Sequence, residues 1–369
     1  MIRKLKDGRY EVAVDQGRDA TGKRLRIWRR APTRLAAKSL EAQLIAERDT
    51  GTTIQPGRLT TGEFLARWLK DHCEVNLAPK SVLTYRQLIG THILPYAGSI
   101  PLTGLKPLHV QGVYGKVQES GRSPRTALQV HRLLRVALRA AVRWQLLAHN
   151  PCDAVEAPRV PAVEMELPDA AGIRRLLTAA DATRHGPMVR LTLESGLRLG
   201  EVCGLRWADL DLGAATLCVS QTVQWLPGGL VTKPPKTARS RRVVALSGSA
   251  VQTLRQHRVK QQEYRLRLGP VYKDNDLVFP SEIGTPLFPQ GFYRAWKRIT
   301  AEAGVTLKFH GLRHLSATTA LAAGVDVRTI ADRLGHSNTS TTLDIYAHAV
   351  AGADRAAAEA ISAALRRTG

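Results

Sequence analysis

The chain has 369 residues, enough for two or three domains that each bury a core. Its 54 Lys and Arg outnumber 31 Asp and Glu, for a net charge of +23; that balance favours a polyanionic partner, nucleic acid first, while saying nothing about fold. No run of about 18 apolar residues occurs and the opening MIRKLKDGRYEV has no apolar core, so neither a membrane span nor a secretory leader is expected. Cys73, Cys152, Cys203 and Cys218 form no CxxC pair, which fits reduced thiols in a cytoplasmic protein.

Residues 1–58 read as a small basic unit with 14 Lys/Arg against 7 Asp/Glu. Tyr10, Val12 and Val14 alternate with polar neighbours. Thr21-Gly22-Lys23 supplies a turn, and Leu25 and Ile27 resume the alternation, so a hairpin is predicted. A helix over about 33–48 follows, with Leu35, Leu40, Leu44 and Ile45 as its apolar positions. Arg24, Arg26, Arg29 and Arg30 crowd one ribbon with Trp28; the choice there is between DNA contact and a solvated basic face. A breaker-rich stretch, 50–57, then gives way to helical periodicity over 59–157. Its clearest stripe is Val130, Leu133, Leu134, Ala137, Leu138, Ala141 and Val142, with Arg132, Arg135, Arg139 and Arg143 largely off that face, where they track phosphates or simply meet water.

Pro158, Pro161 and Pro168 mark a second linker, so the third unit is placed at 158–369. Helices are predicted near 169–180, 187–195, 199–206, 249–267, 289–303, 311–322, 326–334 and 338–346. Strands are predicted near 215–224, 229–233 and 242–246, and a short amphipathic helix over 356–365. The fold class expected is multidomain and mainly α: a β-ribbon plus helix, a helical domain, and a mixed α+β domain.

Three islands of the third unit carry chemistry. In Ser195-Gly-Leu-Arg-Leu-Gly-Glu201, Arg198 stands between glycines that let backbone approach a ligand, and Glu201 is placed to orient it. In Thr232-Lys-Pro-Pro-Lys-Thr-Ala-Arg-Ser-Arg-Arg-Val-Val-Ala-Leu246, read as a basic hairpin between two strands, Lys236 is a proton donor for a leaving oxygen or one more steering cation, and Arg239 and Arg241 are candidate phosphate contacts. The third island, 309–346, holds His310, Arg313 and His314, then His336 ten residues before Tyr346. Arginine offers planar permanent donors to phosphate, histidine exchanges protons near neutrality, and tyrosine is a covalent nucleophile. His310 and His314 are spaced i,i+4, but Gly311 and Leu312 stand where a zinc protease needs its glutamate, so no metal site is expected.

Together these islands resemble the tyrosine recombinase family, in particular phage and mobile-element integrases similar to the lambda integrase. SGLRLGE looks like the first-arginine motif, HGLRH like the H-x-L-R-H box, PKTARSRR like the lysine loop, and LGH followed by STTLDIYAH like the third histidine and the nucleophile box. The resemblance covers about residues 60–350; residues 1–58 are similar in type to arm-site-binding domains, and 59–157 to the helical core-binding domain.

The resemblance implies that Tyr346 attacks a scissile phosphate to give a 3′-phosphotyrosyl link and a free 5′-hydroxyl, without metal, ATP or other cofactor. It implies that Arg198 and Arg313 clamp the non-bridging oxygens, that His310 exchanges the tyrosine proton, and that His336 donates to the phosphate. Lys236, or Lys233 in its place, protonates the leaving oxygen, with Glu201 and His314 as supports. It also implies a C-shaped clamp on double-stranded DNA, a homotetramer on core and arm-type sites, and DNA-bending accessory proteins. A core-site-only recombinase for chromosome or plasmid resolution, and a regulator that binds DNA without cutting it, remain as alternatives.

Overall fold

A computed structural model describes residues 1–18, 24–49, 59–161, 166–235, 240–335 and 366. The chain divides into two compact units, Met1–Val163 and Glu164–Gly369.

The first unit opens with an antiparallel sheet ordered β1 (Ile2–Lys4), β2 (Tyr10–Arg18) and β3 (Arg24–Ala31), followed by helix α1 (Arg34–Asp49). β1 was not expected from its short, charged sequence. It joins because the turn at Gly8 (φ 84°) lets Ile2 pair with Val12. Val12, Val14, Ile27 and Ala31 turn to one side and bury Ala37 and Leu44 of α1. Two of the helix's expected apolar positions differ, since Leu35 is 80% exposed and Ile45 37%; both point away from the sheet. The register also divides the arginines. Arg26 pairs with Asp15, Trp28 with Ala13 and Arg30 with Glu11, so these three share the outer face. Arg29 pairs with Val12 and has the opposite parity, so the cations of this ribbon lie on both faces, and only the backbone of Arg24 is described.

The helices of this unit are α2 (Thr61–Trp68), α3 (Glu74–Asn76), α4 (Pro79–Leu88), α5 (Leu94–Ala97), α6 (Pro107–Glu119) and α7 (Pro124–Arg143). Two π-helical turns, Leu69–Cys73 and Ile89–Ile93, link α2 to α3 and α4 to α5. Each puts residues five apart on the same buried side, Trp68 with Cys73 and Leu88 with Ile93, a spacing that 3.6-residue periodicity does not anticipate. The expected stripe of α7 is buried from Val130 to Ala141, and Arg132, Arg135 and Arg139 are exposed. Arg135 is not idle, for its Nε donates to Asp153 Oδ1 at 3.0 Å.

The second unit begins with α8 (Ala170–Asp181), α9 (Gly186–Ser195) and α10 (Leu199–Gly204). Five strands follow, β4 (Leu210–Asp211), β5 (Thr216–Cys218), β6 (Thr222–Leu226), β7 (Gly229–Lys233) and β8 (Val243–Ala245). They form two sheets, β4-β5-β8 and β6-β7. The single strand expected near 215–224 is therefore two strands in different sheets. The expected hairpin between 229–233 and 242–246 is also absent: β7 pairs with β6 across the tight Pro227-Gly228 turn, and β8 pairs with β5. Helices α11 (Gly248–Leu268), α12 (Pro289–Glu302), α13 (Gly311–Ala322) and α14 (Val327–Leu334) complete the described unit. Leu176, Met188, Val202, Leu217, Val244, Leu254, Phe292, Trp296, Phe309 and Leu312 belong to one core that draws on both helices and strands. The helices expected over 338–346 and 356–365 fall outside the described residues.

Candidate active site

The site forms where α9, α10, α13 and α14 meet, and one glycine permits the approach. Gly196 caps α9 in the left-handed region (φ 68°), and a Cβ there would stand 2.4 Å from Leu334 Cδ2. Only a glycine lets the end of α14 come so near the turn that carries Arg198. The end of α14 is itself closed by Gly335 (φ 66°), whose N–H donates back to Ala331 and Asp332.

A helix C-terminus leaves carbonyls without intrahelical partners and carries partial negative charge. Here three successive carbonyls are each met by a different arginine. Arg242 Nε donates to Arg333 O at 2.7 Å, Arg313 Nη2 to Leu334 O at 2.6 Å, and Arg198 Nη2 to Gly335 O at 3.1 Å. Arg313 also donates through Nη1 to Gly196 O at 2.7 Å, joining the ends of α9 and α14. Arg313 is 2% exposed, whereas the Arg198 side chain is 37% exposed and meets solvent.

Glu201, 5% exposed, holds this group from the other side. Its Oε1 accepts from Arg198 Nη1 at 2.7 Å and its Oε2 from the Arg198 backbone N–H at 3.0 Å. The same carboxylate receives Arg242 Nη2 at 2.9 Å and Nη1 at 3.3 Å. Burial by itself pushes the Glu201 pKa up; the hydrogen bonds and charge of Arg242, then those of Arg198, outweigh it and hold the carboxyl below its ordinary value. The site therefore keeps a buried anion beneath a cationic rim.

His310 begins α13 and its ring lies edge-on to His314, with centroids 5.0 Å apart. Partial desolvation, then the positive charges of His314, Arg313 and Arg198, bring its pKa down to about 4, with Glu201 pulling the other way. The residue as a whole is still exposed, so this is a ring recessed among cations rather than one sealed in a core, and an arriving anion can reverse the shift. His314 is lowered as well, by desolvation and then by Arg313.

Arg198, Glu201, His310, Arg313 and His314 are thus brought together. Lys236, Arg239, His336 and Tyr346 lie outside the described residues. Lys233, however, pairs with Thr222, and Thr222 lies against Gly200 of α10. Lys233 and Arg242, on either side of Lys236 and Arg239 in the chain, accordingly both stand beside α10. Arg241 is exposed; Arg242 was not singled out by sequence. Its signal was parity, because Arg242, Val244 and Leu246 are buried while Arg241, Val243 and Ala245 are exposed. Among the described residues no three His, Cys, Asp or Glu side chains gather as a metal would require, and no helix is long and apolar enough to cross a membrane.

Residues 169–352 match the phage integrase family, and residues 60–117 match the N-terminal SAM-like domain of phage integrases. The chain belongs to the tyrosine recombinases of the phage integrase family. It is 29% identical over 373 residues to a XerC-like tyrosine recombinase of Caldanaerobacter subterraneus subsp. tengcongensis, with 94% of each chain covered. It is 27% identical to the ICEBs1 integrase of Bacillus subtilis, covering 94% of this chain and 95% of that one. Its fold matches that of the Tn1549 transposon integrase in complex with circular-intermediate DNA: TM-score 0.70, 21% identity, 82% of this chain and 99% of the other. A lambda integrase tetramer bound to a Holliday junction aligns with TM-score 0.58 at 20% identity, over 92% of this chain and 94% of the other. Enzymes of this family break and rejoin DNA, and this chain is one of them.

Proposed function

We propose that the protein integrates or excises a mobile DNA element through a 3′-phosphotyrosyl intermediate. The observation that supports this best is that Arg198 and Arg313, whose charges His310 feels, bond the carbonyls of Gly335 and Leu334, one and two residues before His336. Arg198 and Arg313 stabilise the charge that builds on the non-bridging oxygens of the pentacoordinate phosphate. Tyr346 attacks phosphorus, the P–O5′ bond breaks, and Lys236 gives the departing 5′ oxygen its proton. His310, neutral in the DNA-free protein, takes the tyrosine proton, and His336 donates a hydrogen bond to the phosphate. Glu201 fixes Arg198, and His314 steadies the start of α13. Bond energy is kept in the phosphotyrosyl ester, so rejoining reverses cleavage.

The division of labour we infer is arm-site binding by 1–58, core-site binding by 59–157 and catalysis by 158–369. The DNA contacts are Arg24, Arg26, Arg29, Arg30, Arg132, Arg135, Arg139, Arg239 and Arg241. Four protomers assemble on paired double-stranded sites, with DNA-bending proteins as helpers, in the cytoplasm where the chromosome lies. Similarity over nearly the full length of both chains runs equally to an integrase and to a XerC-like recombinase, and dependence on distal DNA separates this reading from the core-site-only one.

The test is to incubate wild type and Tyr346→Phe with short sheared chromosomal DNA spanning the gene's own neighbourhood, then denature and sequence the DNA that stays covalently attached. Short fragments let the freed 5′-hydroxyl end diffuse away, which traps the adduct. Discrete adduct ends with wild type and none with Tyr346→Phe are expected, with equal DNA binding by both. An adduct formed by Tyr346→Phe, or none by wild type, overturns the assignment.

A further inference from the structure

Arg242 has no part in the chemistry set out above, yet it ties together several pieces of the site's framework. It is buried, and its four hydrogen bonds reach three places: Nε to Arg333 O at the end of α14, Nη1 and Nη2 to both oxygens of Glu201 in α10, and Nη1 to Ser240 O at 3.1 Å. Only a planar fork spans acceptors set this far apart; an ammonium is a single point. Through Glu201 the same residue reaches Arg198, which closes the circuit by donating to Gly335 O.

We propose that Arg242 is a positioning residue for strand cleavage, one that locks Arg198, the chain at Ser240 and the end of α14 into one frame. The inference rests on the reading of Arg198 as a phosphate-clamping arginine. Two consequences separate it from a salt bridge that only holds the fold. The first is geometric: losing the bond to Arg333 O removes one of the three arginine contacts on the end of α14 and loosens the stretch that leads to the nucleophile. The second is electrostatic. Glu201 is faced by Arg198 and Arg242, and its charge is felt by His310, while Arg333 lies next to Arg242. Without Arg242 this buried carboxylate keeps one cationic partner, takes up a proton at higher pH, and releases the Arg198 guanidinium.

The experiment uses the full chain and the adduct assay on sheared chromosomal DNA, read across pH 5–9, with Arg242→Gln, Arg242→Lys and Glu201→Gln/Arg242→Gln. Arg242→Gln is expected to lose about ten- to a hundredfold in adduct formation while binding DNA like wild type, as changes in a supporting shell do. Its activity also begins to fall at higher pH than that of wild type. Arg242→Lys keeps the wild-type acid limb, because Glu201 stays ionised, but cleaves slowly at every pH. The double variant, which leaves no buried charge uncompensated, recovers folding and loses the displaced acid limb but stays slow; with Arg242→Lys it decides the matter even if Arg242→Gln does not fold. Wild-type rates and an unmoved limb in all folded variants, or losses that follow the unfolded fraction alone, overturn the proposal. No adduct from wild type overturns the cleavage reading beneath it instead.

Discussion

His310 starts unprotonated, as a base must, and an arriving phosphate moves its pKa back toward neutrality, where it accepts a proton more readily. Held down to about 4 against an ordinary 6.5, it is neutral at pH 7 and able to accept the tyrosine proton. The sign of its linkage follows from the lowered value. The folded protein binds fewer protons than the unfolded chain between the two pKa values, so the stability this ring contributes is present above about 6.5 and is lost as pH falls toward 4. An anion in the site works the other way and favours the imidazolium. Ring-proton NMR of the free protein should show His310 still neutral at pH 5.5, and its apparent pKa should rise when DNA is added. A free-protein titration near the ordinary value would disprove the cation-rich pocket.

At this scale the sequence was informative wherever chemistry imposes spacing, as with Arg198 and Glu201 three apart or His310, Arg313 and His314 within one helical turn. Arg242 was hidden in a run of cations that reads as a solvated loop. Its burial depends on which residue of β8 faces inward, and pairing with β5 decides that.

At the scale of elements, the end of α14 is the joint on which the site turns, and Gly196 leaves no room there for a side chain. Gly196→Ala adds a methyl 2.4 Å from Leu334 Cδ2 at a left-handed φ. We expect a loss of about 1–3 kcal/mol, from strain and overpacking together. Urea unfolding followed by a probe in the second unit would measure it, and cleavage should fall further than stability because three carbonyl contacts shift at once. A variant as stable and active as wild type would show that the joint has slack.

The first unit has its own internal staple, Tyr114 Oη to His131 Nδ1 at 2.8 Å between α6 and α7. Tyr114→Phe leaves a buried imidazole nitrogen without that partner and should cost about 1–3 kcal/mol, checked by the denaturation midpoint. Helix existence was readable from apolar stripes, but the π-helical turns and the division of 215–224 between two sheets were not. Both are settled by packing against distant neighbours: Trp68 stacks on Tyr85 at 5.7 Å, and Thr222 pairs with Lys233.

At the scale of the whole molecule, charge is the property that sequence reports most directly, and its distribution is what a binding measurement resolves. Residues 1–58 hold a net +7 of the chain's +23. Of these cations Arg26 and Arg30 share the outer face of the sheet with Trp28, which is 50% exposed, while Asp15 lies 4.0 Å from Arg26 in an exposed pair of little worth. A face of this kind gains affinity by releasing counterions from phosphates, so its contribution must appear in the salt dependence of binding. Each phosphate contact contributes about 0.9 to the slope of log K against log salt, so Arg26→Gln/Arg30→Gln should flatten the slope by about 2 if both arginines contact the backbone. Deleting 1–58 should flatten it further and, if this unit reads arm-type sites, should leave cleavage at the crossover intact while abolishing any need for distal DNA. A truncated protein with the wild-type slope would mean the sheet is a solvated face. A flattened slope without dependence on distal sites would leave the unit as a non-specific grip and favour an enzyme that acts on core sites alone.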